Sequence, residues 1–228
     1  GWYLFSIIWK LIINYKPNQK EGMIMYTVDA INCQQYAQQS PDKMADVTLM
    51  VVLSIQQNWL GVGDQLADVR QLGAGSKFLW GNKIKTYEYL RENSHQLYAD
   101  AMAVINSEQS DRDKAQALMA VFLQVTGLGI PKAGFMCQLM AGLVGCMDVH
   151  NIKMYGLDLK SLSLAKNPKT NKGIDANNKK VLAYIDLCHD IGTEQLWNNW
   201  CEFLATKSKK WLGGAHVSAV HYSYLTGK

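Results

Sequence analysis

The 228-residue chain predicts a mainly α fold. Two observations carry this expectation. Apolar residues recur at helical spacing in nearly every segment, and no stretch requires the strict alternation of a half-buried strand. Breakers are few, with four prolines in the whole chain, and Gly61, Gly63 and the GAGSK turn at 73–77 fall between the periodic segments. Hydrophobic residues make up 48% and charged residues 18%, which excludes wholesale disorder. A chain of this length buries a core without disulfide or metal staples. The formal net charge of +4 is compatible with a polyanionic partner without requiring one.

The elements follow in order. Residues 1–15 (GWYLFSIIWKLIINY) are strongly apolar and read as an amphipathic helix packed on the body. Spanning a bilayer takes about 20 apolar residues, and Lys10 interrupts this run, so no stable membrane association is expected. A charged start and a small-residue cleavage site, the marks of a signal peptide, are not evident. Residues 44–60 predict an apolar helix that turns polar at its C-terminal end. Residues 64–72 predict a short amphipathic helix and 82–106 a long one. Residues 110–125 predict a helix capped by Ser110 or Asp111. After a tight turn at 126–131 a second apolar helix is expected over 132–143, with Pro131 in its first turn, where a missing N–H costs nothing. The lysine-rich stretch 160–180 reads as an exposed connection, and 181–206 as helix with Trp197 and Trp200. Trp59 and Trp80 are read as core residues slightly ahead of base contacts, and Trp211 and His216 as weaker pocket candidates.

The five cysteines are odd in number and form no C-x-x-C pair. They predict a reduced, intracellular chain with mostly buried thiols and no four-cysteine iron–sulfur or zinc site. No metal site is expected, and the expected location is cytoplasmic, with the nucleoid.

Helix, then T-G-L-G-I-P-K-A at 126–133, then helix makes a helix–hairpin–helix over 112–143. Its glycines let the backbone approach a nucleic-acid strand, and the N–H groups of Gly127, Gly129 and the turn after Pro131 can point at one phosphate. Lys132 adds charge there. Such contacts position a strand without reading its sequence. An ordinary helix–helix turn is the plainer alternative.

Three motifs in order resemble the helix–hairpin–helix–GPD superfamily of DNA glycosylases: L53-S-I-Q-Q-N58, the hairpin G127-L-G-I-P-K-A133, and M147-D-V-H150 followed by Lys153. The resemblance covers roughly residues 44–156. It implies two helical lobes with a DNA-binding groove: a central lobe over 44–147, and a second lobe made of 1–43 with 148–228. It places the family's catalytic aspartate on Asp148, DNA contacts on Gly127, Gly129, Lys132 and Lys153, and the wedge or base pocket on Gln56, Gln57, Asn58 and Trp59. His150 takes a supporting role. Read from the residues alone, Asp148 is equally a helix cap for the segment beginning near Val149. The Schiff-base lysine of the lyase members falls on Pro131, and their four-cysteine cluster is missing. The resemblance therefore implies a monofunctional enzyme without a resident cofactor, acting as a monomer on DNA, although the hairpin can hold a monovalent cation with the phosphate as in family members.

The expected function is hydrolysis of the N-glycosidic bond of a damaged or modified base, a phage-hypermodified one included, after flipping it into a pocket. One alternative is a transferase acting on a flipped, activated pyrimidine in phage DNA with the glycosidic bond kept whole. A second is a DNA-binding module without catalysis.

Overall fold

The computed structural model describes residues 22–165, 168–211 and 221–227, and among them every regular element is a helix. The calls on residues 1–15 and on His216 lie outside the described residues. Helix α1 (Gly22–Ala37) leads into α2 (Pro41–Leu53), which starts earlier than expected because Ser40 accepts from the Lys43 N–H and Pro41 fits the first turn. It also ends earlier. The Ser54 hydroxyl turns back to the Val51 carbonyl at 2.7 Å, and a turn at 54–58 replaces the expected last helical turns. Then come a 3₁₀ turn (Trp59–Gly61), α3 (Val62–Leu72), α4 (Asn82–Ile105), α5 (Asp111–Phe122) and α6 (Ile130–Ala141). Ser110 caps α5, and the left-handed Gly142 ends α6.

The second half departs from the expectation at two places. Residues 171–180 are helical, the first turns of α8 (Asn171–Ile191), rather than a connection. Thr170 caps that helix, and the Asn177 amide pairs with both the N–H and the carbonyl of Ala165, at 2.9 and 3.0 Å. The expected helix at 181–206 is divided by Gly192, at φ +97°, into the end of α8 and the start of α9 (Thr193–Trp211). Between α6 and α8 lies the short α7 (Val149–Met154), and α10 (His221–Thr226) follows α9.

Helix α6 is buried from Ala133 to Met140 on every face, as a helix apolar all round must be. It packs against α1, α2, α5 and α8. Gly134 lets α8 approach, since a Cβ there would lie 2.6 Å from the Tyr184 ring. Residues of both expected lobes contribute to one cluster of buried side chains. All five cysteines are buried in it and free. No helix among the described residues is long and apolar enough to cross a membrane.

The first and last described helices meet at a buried pair. Asp29 of α1 holds the His221 ring nitrogen Nδ1 at 2.7 Å and accepts the backbone N–H groups of His221 and Tyr222 at 3.2 and 3.0 Å. The imidazole lies among Trp59, Trp197 and Trp200, each with its ring centre 4.5 Å away. Arg70 of α3 fastens the other end of α10 through the Leu225 carbonyl at 2.8 Å while pairing with Asp46 at 2.6 Å. Asp29→Ala would strand the imidazole and two N–H groups in an apolar box. Urea unfolding should show a loss of about 3–5 kcal/mol, the cost of breaking a buried pair from one side.

Candidate active site

Asp148 sits in extended backbone at the start of α7, and one carboxylate oxygen accepts the Asn151 N–H at 2.8 Å. It is thus a helix cap, as the residues alone allowed, and the backbone N–H of His150 also stabilises its charge. The group is half-buried. Burial raises its pKa above the ordinary 3.8, against the opposing pull of the Asn151 N–H, His150 and Lys132.

The loop that carries Asp148 is held from four helices. Gln138 of α6 accepts the Cys146 N–H at 2.7 Å and donates to the Thr193 carbonyl at 2.9 Å. Tyr184 of α8 donates to the Gly145 carbonyl at 3.0 Å. Asn151 of α7 donates to the carbonyls of Cys146 at 2.7 Å and Leu196, on α9, at 3.1 Å. A Cβ on Gly145 would fall 2.4 Å from the Leu196 side chain, so the loop and α9 touch through the missing side chain. Within the loop Val144 takes φ +59°, a strained conformation for a β-branched residue that persists only where its surroundings dictate it.

Two lysines meet at the end of α2. Lys132, half-buried in the first turn of α6, donates to the Ser54 hydroxyl at 3.2 Å and lies over the Phe135 ring. Its ammonium turns back toward α2 instead of outward at the hairpin tip. Lys83 of α4 is buried and donates to the Leu53 carbonyl at 3.0 Å. Burial pushes both ammonium pKa values down, and the charge of Lys132 lowers Lys83 further. Asp148 pulls Lys132 the other way.

The hairpin turn is open to solvent at Thr126, Gly127 and Gly129 and anchored by the buried Leu128. Gly127, at φ +95°, lies against the start of α4, where a Cβ would come within 2.7 Å of the Thr86 hydroxyl. That hydroxyl donates to the Thr126 carbonyl at 2.5 Å and fixes the turn. Space beside Gly129 is open.

The remaining residues separate. Gln56, Gln57 and Asn58 are exposed in the turn after α2, with Gln56 at φ +56° and the Asn58 side chain capping the 3₁₀ turn through the Leu60 N–H. Trp59 leaves that group: it is buried, edge-on to Trp200 at 4.9 Å. Trp80, read as core, is instead half exposed, with the Lys83 ammonium 5.0 Å from its ring centre. His150 stacks on Phe203 at 3.9 Å, which braces α7 against α9. Lys153 is exposed on the last turn of α7. The Trp211 side chain lies outside what is described. Among the described residues no three His, Cys, Asp or Glu side chains gather in a way that could hold a metal ion.

Sequence reading missed Lys83, Ser54, Gln138, Tyr184 and Asn151. Asn151 and Ser54 had a local signal, since Asn151 directly follows the M147–H150 motif and Ser54 lies within L53–N58. No family model, curated protein or solved structure matches the chain.

What remains is a carboxylate held in a rigid loop, partly out of water, with a lysine in electrostatic range and an exposed glycine turn one helix away. Its raised pKa has a thermodynamic consequence. The unfolded chain ionises Asp148 first as pH rises, so the folded state loses stability between the ordinary carboxylate pKa and the raised one. Asp148→Asn keeps a good cap and removes that charge. Thermal melts should show the variant more stable at pH 7, the gain shrinking as pH falls toward 4.

Proposed function

We propose that the chain is a monofunctional DNA glycosylase of the helix–hairpin–helix–GPD type, hydrolysing the N-glycosidic bond of a damaged or modified base. The single observation that carries this reading is the Asp148 carboxylate: half-buried, fixed by the clamped loop, and linked to the exposed hairpin through Lys132 on the first turn of α6. The open backbone at Gly127 and Gly129 supports a phosphate contact there.

In this mechanism the hairpin holds a strand by its phosphate and the target nucleotide leaves the stack. The bond between C1′ and the base nitrogen breaks as positive charge builds on the sugar. The Asp148 carboxylate stabilises that charge. A water oxygen then bonds to C1′, and its proton passes to the carboxylate and on to the departing base. The exposed amides of Gln56, Gln57 and Asn58 face the gap left in the duplex, where an amide can both donate and accept. Lys132 lowers the cost of keeping Asp148 ionised in a half-dry site.

The test uses DNA carrying ordinary, damaged and phage-modified bases, incubated with wild type and Asp148→Asn. Free base by mass spectrometry, with alkali-labile sites, is the expected result for wild type, and the variant should lose about 10²–10³-fold in rate while still binding DNA. The rate should fall on the acid side at a pH above the ordinary carboxylate value of 3.8, because Asp148 must be ionised. Intact DNA with an altered nucleoside mass would replace hydrolysis by transfer to a base in place. Salt-dependent binding with unchanged DNA would leave a binding module.

A further inference from the structure

An exposed tryptophan stands beside the lysine pair, and the reading above gives it no role. Trp80 keeps 50% of its surface open. It lies two residues before the start of α4, the helix that fixes the hairpin through Thr86. The Lys83 ammonium lies 5.0 Å from its ring centre, and that ammonium is itself anchored on the Leu53 carbonyl. A buried, anchored cation under one face of an indole holds the ring in a defined pose and leaves the other face open. Next along the chain from Leu53 and Ser54 is the exposed turn at Gln56, a non-glycine residue held at φ +56°. Strain of that kind is retained where surrounding contacts impose it, and it clusters at sites of function. The exposed indole, the two lysines and the end of α2 are thus joined by direct contacts, and α4 ties them to the hairpin turn through Thr86.

We propose that Trp80 is a stacking platform for an unpaired nucleobase of bound DNA, with Lys83 as the residue that positions its ring. The surrounding charge selects the occupant: the Lys83 and Lys132 ammonium groups stand close enough to repel each other, and of the two only Lys132 is drawn by the Asp148 carboxylate, so the local balance favours a polyanion over an apolar peptide. An indole face accepts any base, which suits a site where the hairpin fixes the backbone without reading sequence. The inference rests on the DNA reading but not on hydrolysis.

The probe is a fluorescein-labelled duplex with a single-base bulge, compared with the fully paired duplex, against wild type, Trp80→Ala and Trp80→Phe. Wild-type tryptophan emission is expected to be quenched on binding the bulged duplex. Trp80→Ala should bind the bulged duplex about tenfold more weakly, the size of one base–aromatic stack, while binding the paired duplex within twofold of wild type. Trp80→Phe should recover most of the affinity but not the quenching. Because the side chain is half exposed, circular dichroism melts should place both variants close to wild type, which separates lost stacking from lost fold. Equal affinity of wild type and Trp80→Ala for the bulged duplex would overturn the platform and leave the DNA reading intact. Failure of wild type to bind either duplex would overturn both.

Discussion

The carboxylate of Asp29 organises this molecule. It joins positions 192 residues apart and satisfies three donors at once, two of them backbone groups that begin α10. A carboxylate buried this deeply is tolerable only when such partners surround it. The imidazole it holds then becomes the hub of an aromatic cluster in which Trp59, Trp197 and Trp200 crowd the same ring, with Phe135 edge-on at 6.2 Å. Phe135 belongs to α6, the wholly buried helix, and Lys132 lies one turn before it. The position of the first turn of α6, and so of the lysine beside Asp148, is therefore tied to contacts made at both ends of the described chain.

The candidate site is built from groups that the fold keeps partly dry. A carboxylate drawn above its ordinary pKa and ammonium groups drawn below theirs reflect burial, which the attraction between Asp148 and Lys132 only partly offsets and which the repulsion between Lys132 and Lys83 deepens. Such a site is a region of stored electrostatic cost. The clamps from Gln138, Tyr184 and Asn151 keep it from relaxing, since every carbonyl or N–H they hold would have to find another partner before the loop could move. Rigid support behind a desolvated carboxylate is the arrangement that stabilises charge without reorganisation during a reaction.

Local chemistry was legible in the sequence where a single residue type decides the outcome. Ser110 starts a helix, Pro131 fits a first turn, and the apolar runs at 44–53 and 132–141 became buried helices. Capping by Asp148 was legible for the same reason. What depends on distant partners was not. Nothing near Trp59 distinguishes it from Trp80, yet one is buried against α9 and α10 while the other stands half in water. Lys83 looks like any surface lysine until Leu53 is brought beside it. The end of α2 was misplaced because residues 54–58 carry helix-compatible side chains, whereas the Ser54 hydroxyl turns back to the Val51 carbonyl and receives the Lys132 ammonium. Asn177 likewise reads as loop chemistry, although it spends its amide on Ala165 and lets α8 begin early.

The link between Asp29 and His221 also bears on how the molecule is made. During synthesis a chain emerges from its N-terminal side, and segments fold as they become available. Helices α2 to α6, including the hairpin, can assemble from neighbours close in sequence. The indoles of Trp59, Trp197 and Trp200 cannot close around their hub until residue 221 has left the ribosome. Until then Asp29 lacks the partner it holds in the folded chain, and the face of α1 that receives α10 lies uncovered. Between the emergence of Trp200 and that of His221 the nascent chain therefore carries an open aromatic seam, the interval in which a chaperone has a surface to hold.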